Sequence, residues 1–405
     1  MKAVVFGPGR IGCGFVGQLL SGSGYELIFV GRGPVVDQLS RVGRYRVRLT
    51  GGTHASDLKI EVAGVRALQT VDVEAVTSAV AAADLVAVSV GPSNLNAVAP
   101  LLAAGLARRT SPVNVIAFEN CSDPGGCLRD AVIRNLPALA TAGHGFSGAL
   151  VSRIVTRRIG DPGGAEPLVF LGDLPSAFVV DGPSLCAPLP SIEGLRAVDD
   201  FRAWVMKKLY TFSAGHAAAA YLGALKGYHY VHSAIRDPEI RSAVLAAMEE
   251  GRRGLARRFG PGLAGDRAEL DAIVARFENA ALNDPVGRVG RDPLRKLGPE
   301  DRLVGAARLA AEAGVQPCRL ALVAAAAMCF VCAQDPAACR TPAATVRSVA
   351  GLDPRQGLGL EIFEAFNRLV EGREDDNVLL SLRELVWSWT RDPVAPAPVA
   401  LRKSA

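Results

Sequence analysis

Several things are missing from this 405-residue chain, and each absence narrows what it can be. No basic leader with a cleavage site comes first; Met1 to Phe6 enters a strand pattern at once, so no secretory signal is expected. The longest apolar run, Leu320 to Ala333, is alanine-rich and too short to cross a bilayer. A cytoplasmic protein without membrane association is the expectation. Charge of one sign is lacking as well. The 45 Lys and Arg against 40 Asp and Glu leave a net charge of only +5, spread along the chain. That excludes a nucleic-acid footprint but suits an anionic ligand. There is no internal repeat. Clustered metal ligands are also wanting. Of the eight cysteines, Cys329 and Cys332 form a C-x-x-C pair in a helical stretch, with no second pair at zinc-ribbon spacing. They read as packing residues, and scattered cysteines in such a chain are expected to stay reduced. His229 and His232 lie three apart without a third ligand, so no metal is expected.

What is present is a globular composition, 49% hydrophobic and 21% charged, over a length that suits two or three domains. The first half alternates apolar strand runs with helical patterns. Lys2 to Phe6, Glu26 to Val30, Asp84 to Val90 and Val113 to Phe118 read as strands; Ile11 to Ser21 and Val73 to Ala83 read as helices. Continuous apolar strands separated by helices imply a parallel sheet covered on both faces. After the turn-rich Gly182 to Pro190 the period becomes helical. Val198 to Leu222, Pro238 to Phe259, Ala268 to Ala281, Asp301 to Ala313, Leu320 to Ala333, Leu360 to Glu371 and Asn377 to Trp389 read as helices. Glu249 and Glu250 read as part of a solvated helix face. The expected fold is α/β: an N-terminal doubly wound Rossmann-type domain over 1–190, then an all-helical domain over 191–391, with a disordered tail over 392–405.

Gly7-Pro8-Gly9-Arg10-Ile11-Gly12 is G-x-G-x-x-G, placed after an apolar strand and at the opening of a helix. In that setting Gly7 permits the tight turn and Gly9 lets backbone N–H groups of the loop, up to Arg10 and Ile11, approach a pyrophosphate. Gly12 lets the helix pack close to the sheet. Gly91, ending DLVAVSVG, is a further candidate cofactor contact. A chain that uses NAD is expected to carry an acid at the end of its second strand, for the ribose 2′-hydroxyl. Here that strand ends in Gly31-Arg32. A guanidinium favours a 2′-phosphate, which a carboxylate would repel. NADP(H) is therefore the expected dinucleotide, with NAD(H) as the alternative.

In the stretch Lys207 to Gly223, Lys208, Ser213 and His216 fall within an arc of roughly 140° on a regular helix. A lysine can be the acid/base of an alcohol/ketone couple if burial and a nearby cation lower its proton affinity. A histidine can hold it and hydrogen-bond the substrate oxygen. Further on, Arg288, Arg291, Arg295 and Lys296 concentrate four cations in a loop broken by Gly290 and Pro293, an apt clamp for an anion.

Taken together, MKAVVFGPGRIGCGFVGQLL, DLVAVSVGP, IAFEN, KLYTFSAGHAAAAYLG and RFEN followed by RVGRDPLRKLGPEDRL resemble the polyol-specific long-chain dehydrogenases, from Met1 to about Arg391. The resemblance implies a zinc-independent enzyme with a K-x4-N-x2-H motif, which puts the acid/base on Lys208 and the orienting imidazole on His216. It places Ser213 where the family has an asparagine, and Ser152, in VSRIV, where the family has an aspartate. It matches Asn120 to a second asparagine beside the reacting oxygen, and Gly31 to the NAD-type acid. Arg288 and Lys296 match substrate contacts, and Arg291 and Arg295 the extra basic residues of the phosphate-using branch. The implied activity is hydride transfer between a nicotinamide and a secondary alcohol or ketone of a phosphorylated polyol, cyclitol or sugar-like substrate, by a monomer or homodimer. The two serines leave open a uronate or unphosphorylated polyol reductase, or a decayed NADP-binding sensor or scaffold.

Overall fold

Runs of β-branched residues make the strands of the N-terminal half. The computed structural model describes residues 1–51, 57–159, 167–175, 177–189, 192–335 and 342–371. It divides into two compact units, Met1–Val205 and Met206–Ala405. The helix expected over 377–389, the tail over 392–405 and Cys339 lie outside the described residues.

Among the described residues the first unit has twelve strands: β1 (Lys2–Phe6), β2 (Glu26–Gly31), β3 (Arg44–Thr50), β4 (Leu58–Ala63), β5 (Arg66–Gln69), β6 (Leu85–Val88), β7 (Asn114–Ala117), β8 (Gly145–Val151), β9 (Val155–Ile159), β10 (Val169–Asp173), β11 (Phe178–Asp181) and β12 (Leu195–Val198). Eight form one sheet in the order β12-β11-β8-β7-β6-β1-β2-β5. It is parallel from β5 to β8, whereas β11 runs antiparallel to β8. Its strands are buried on both faces because successive residues enter different cores. Ala3 and Val5 join Phe15, Leu19 and Phe29 on one side; Val4 and Phe6 join Val80, Leu102 and Leu128 on the other. The chain order reverses between β1 and β6, the topological switch point where open sheets of this kind bind ligands.

The four-stranded second sheet, β4-β3-β10-β9, was not expected from the sequence. Its β3 reads RYRVRLT with alternating burial, so only one face is apolar. Arg46 and Arg48 point outward to Glu61 and Asp57. That alternation is the sign of a half-solvated strand, easily lost beside the continuous apolar runs of the main sheet.

Among the described residues seven longer helices follow: α6 (Phe201–Lys208), α7 (Ala214–Leu225), α8 (Pro238–Phe259), α9 (Arg267–Phe277), α10 (Val304–Glu312), α11 (Cys318–Gln334) and α12 (Gly357–Glu371). They are preceded by α1 (Gln18–Gly22), α2 (Pro34–Val42), α3 (Val73–Ala81), α4 (Leu95–Leu106) and α5 (Pro124–Asn135) in the first unit. Asp237 starts α8 by accepting from the N–H groups of Glu239 and Ile240. The long apolar run is explained by α11, which is buried on nearly every side and packs against α7, α8, α10 and α12. Among the described residues, no helix is long and apolar enough to cross a membrane.

Two expectations change here. Glu250 is not on a solvated face. It accepts from the N–H groups of Arg319 and Leu320, so it caps the buried α11, and burial raises its pKa. Glu249 instead pairs with Arg252. Nor are all thiols free: Cys332 is disulfide-bonded, while Cys329 remains a free thiol in the core. The two members of the C-x-x-C pair thus have different surroundings on one helix.

Candidate active site

In the first unit the glycines of the motif each meet a different demand. Gly7 has φ of 90°, and a Cβ there would lie 2.4 Å from the carbonyl oxygen of Ser89 on the adjoining β6 connection. At Gly12 a Cβ would lie 1.9 Å from the Gly7 carbonyl oxygen. Gly9 has nothing within 4 Å of its Cβ position and is exposed. Two glycines therefore close the turn onto the sheet and the third leaves its outer side open. That is the shape a pyrophosphate cradle needs, and the residues present fit a dinucleotide. The helix after the cradle opens as a π turn, Gly12–Gly17, before α1. Ile11 packs half-buried at its start, and Arg10 donates to the carbonyl of Thr156 at 3.2 Å.

At the end of β6, Gly91 has φ of 93°. Its N–H and that of Val90 both donate to Glu119 Oε1, at 2.9 and 2.8 Å. Sequence reasoning passed over Glu119, although it adjoins Asn120 in IAFEN. Burial raises its pKa to about 7 against those two bonds. Asn120 itself is exposed in the turn after β7. Ser152 is half-buried after β8, and its neighbour Arg153 is locked onto Gln18 Oε1 at 2.7 Å. Arg32 is exposed at the end of β2, beside a half-buried Gly31.

In the second unit the lysine helix is not regular. A π turn, Leu209–Ser213, separates α6 from α7. Its backbone bonds span five residues instead of four, so Lys208 and Ser213 come closer to one face than the assumed α-helical arc gave them. Ser213 and His216 are three apart, one turn along. Lys208 is half-buried and has no hydrogen-bond or ion-pair partner among the described residues. Burial, with Arg302 and Arg276 nearby, lowers its pKa to about 8.

His216 is held on two sides. Its ring stacks on Phe277 with centroids 4.8 Å apart, and Nε2 lies 3.0 Å from Asp284 Oδ2. Burial keeps His216 below the usual imidazole range even beside that carboxylate. Asp284 is itself buried, its pKa brought to about 2: burial opposes ionisation, but His216 and Arg288 outweigh it. Arg288 grips the same carboxylate with two nitrogens, Nε at 2.5 Å and an Nη at 2.6 Å. Asp284 is the main residue missed by sequence reasoning. A signal was available, since it stands four residues before Arg288, the spacing at which helical side chains meet.

The basic loop is less free than its composition suggests. Lys296 is 5% exposed and its Nζ donates to the carbonyls of Val289 and Arg291; burial brings its pKa to about 7. Arg295 pairs with Asp301 at 3.0 Å, and Arg291 donates to the Arg288 carbonyl at 3.2 Å. A further cation, Arg302, was not anticipated. It is 6% exposed, its Nε donates to Asp301 Oδ1 at 2.7 Å, and one terminal nitrogen has no partner among the described residues. Lys208, Arg276, Lys296 and Arg302 thus make a cationic cluster in which both lysines lose proton affinity.

These features coincide with one family. The model described as "Mannitol dehydrogenase Rossmann domain" matches residues 1–194, and "Mannitol dehydrogenase C-terminal domain" matches residues 200–347. The chain belongs to the mannitol dehydrogenase family and is a dehydrogenase of the kind that acts on CH–OH groups. It is similar to a mannitol-1-phosphate 5-dehydrogenase of Bacillus licheniformis, 36% identical over 376 residues, covering 88% of this chain and 97% of that one. It is similar also to the enzyme of that name from Brevibacillus brevis, 38% identical over 355 residues, covering 85% and 89%. Among solved structures, Pseudomonas fluorescens mannitol 2-dehydrogenase in a ternary complex with NAD and D-mannitol shares the fold. Its TM-score is 0.75 at 17% identity, covering 96% of this chain and 94% of that one. A substrate-free D-sorbitol dehydrogenase also shares it, with a TM-score of 0.70, 17% identity and coverage of 91% and 92%.

Proposed function

We propose that this dehydrogenase acts on a phosphorylated polyol, prefers NADP(H), and uses Lys208 as its acid/base. One observation carries the proposal: a half-buried lysine without an ion-pair partner among the described residues, its pKa lowered to about 8 by burial and by Arg302 and Arg276. A group of that proton affinity exchanges a proton with a carbinol near neutral pH. When bound, the nicotinamide supplies the hydride acceptor or donor. Gly7, Gly9 and Gly12 would hold its pyrophosphate, and Arg32 its 2′-phosphate.

The other residues prepare Lys208 and its substrate. Asp284 only accepts, so His216 carries its proton on Nε2 and leaves Nδ1 as an acceptor. A neutral imidazole so oriented steers the proton shared between the carbinol and Lys208. Ser213 offers a hydroxyl in place of an amide, and Asn120 remains the second candidate for the reacting oxygen. Arg302, Lys296 and the loop residues Arg288, Arg291 and Arg295 favour a substrate with an anionic end, whose remote binding energy aligns the carbinol. The relatives' name makes mannitol 1-phosphate the first compound to try. Proton transfer rests on a side chain in this scheme and calls for no metal-bound water. The enzyme would work in the cytoplasm, where such phosphates and NADP(H) occur together.

The test is a panel of phosphorylated and free polyols, cyclitols and uronates, with NADP(H) and NAD(H) side by side. Turnover of a phosphorylated polyol with NADP(H) is expected. Turnover of free polyols or uronates alone would replace the substrate assignment, and dinucleotide binding without any turnover would make the chain a sensor.

A further inference from the structure

Position 31 ends the second strand, where a ribose-binding carboxylate would stand. A Cβ built there would lie 2.6 Å from Pro8 Cδ, 2.9 Å from Pro8 Cγ and 3.1 Å from Val36 Cγ2. Pro8 is buried, and its ring is part of the backbone of the cradle between Gly7 and Gly9. It cannot swing aside as the end of a flexible side chain would. Any residue larger than glycine at 31 must therefore displace the cradle itself.

The neighbouring carboxylate is also committed. Asp37, in the first turn of α2, accepts from Gln69 Nε2 at 2.7 Å. The same Gln69 accepts from the Gly33 N–H at 3.2 Å and donates to the Gly33 carbonyl at 3.3 Å, fixing the loop that carries Arg32. The loop therefore presents a guanidinium and no free carboxylate.

From this geometry we infer that Pro8 is a specificity-determining residue: by filling the space over Gly31 it bars a ribose-binding carboxylate and so holds the chain to a 2′-phosphorylated dinucleotide. The inference rests on the dinucleotide assignment above and deepens it. It implies that the substitution toward NAD(H) works only as a pair, Pro8→Ala with Gly31→Asp.

Calorimetric titration of the full chain with NADPH and with NADH tests this, beginning with the unaltered protein. Gly31→Asp alone should weaken both dinucleotides roughly tenfold or more, because the cradle must move. The pair Pro8→Ala/Gly31→Asp should regain affinity and turn the preference toward NADH, by roughly tenfold or more against the unaltered chain. A single Gly31→Asp variant that takes up NADH as well as the pair does would overturn the inference. If Gly31→Asp does not fold, Gly31→Ala carries the same test in melting temperature. It should lose several degrees, and Pro8→Ala/Gly31→Ala should melt above the sum of the two single effects. Additive losses would overturn the inference. An unaltered chain that binds neither dinucleotide would remove the dinucleotide assignment itself, a failure seen before any substitution is made.

Discussion

The two units prepare for their ligands by opposite means. In the first, the seat is made by omission: Gly7, Gly12 and Gly31 lie where a Cβ would strike backbone or the Pro8 ring, and Gly9 leaves open space. In the second it is made by crowding: Lys208, Arg276, Lys296 and Arg302 gather where water is scarce, and two lysines lose proton affinity. Omission gives a shape and tolerates no additions. Crowding gives a chemical potential, and it tolerates substitutions that keep charge and volume. Damage to the two should therefore differ in kind, binding being lost from the first unit and turnover from the second.

Lys208→Ala is the sharpest break. It should lower kcat by about 10³-fold or more, within the range of general acid–base contributions, while dinucleotide affinity stays within a few-fold. Full activity would remove the role assigned to Lys208. Asp284→Ala comes next, because it strips the partner from His216 and from Arg288 together. Loss of one member of such a buried cluster costs about 3–5 kcal/mol, to be read as a lower melting temperature. Asp284→Asn should keep more of the fold yet lower kcat about 10²-fold, since an amide can offer its N–H to His216 and reverse the tautomer. Equal activity in the Asn variant would reduce Asp284 to a structural part. In the first unit, Arg32→Ala should raise KM for NADP(H) about tenfold and leave KM for NAD(H) nearly unchanged. An equal rise for both would remove the 2′-phosphate assignment.

The smallest effect concerns Glu119. Its folded pKa, about 7, lies above the usual carboxylate value, so its protonated form favours the fold. That contribution is full below the unfolded pKa and is lost as pH rises through 7. The melting temperature should fall by about a degree or two between pH 5 and 8, and Glu119→Gln, which still accepts from Val90 and Gly91, should flatten the fall. An unchanged slope in that variant would assign the effect elsewhere.

The same contrast decides what was legible in the sequence. Omission leaves a mark in the letters: Gly7, Gly9, Gly12 and Gly31 stand out between apolar strands, and the parallel sheet follows from runs such as DLVAVSV. Crowding leaves little. Arg276 and Arg302 lie well beyond Lys208 in the chain, as Asp284 lies well beyond His216, and only the packing of the helical unit brings each into electrostatic reach of its partner. The arc computed for Lys208, Ser213 and His216 assumed a regular helix. The π turn at Leu209–Ser213 has no letter code, as the one at Gly12–Gly17 has none. Basic residues drew attention to 288–296 by number, yet Lys296 and Arg295 spend their charge on nearby carbonyls and on Asp301. The second sheet, of β3, β4, β9 and β10, escaped for a different reason: the alternating arginines of β3 obscured its apolar face.

The most direct measurement is the pH dependence of kcat for alcohol oxidation. With a lysine of lowered proton affinity as the base, the rate should climb about tenfold per pH unit and level off near 8. A flat profile, or one still climbing toward the ordinary lysine value of about 10.4, would contradict the account.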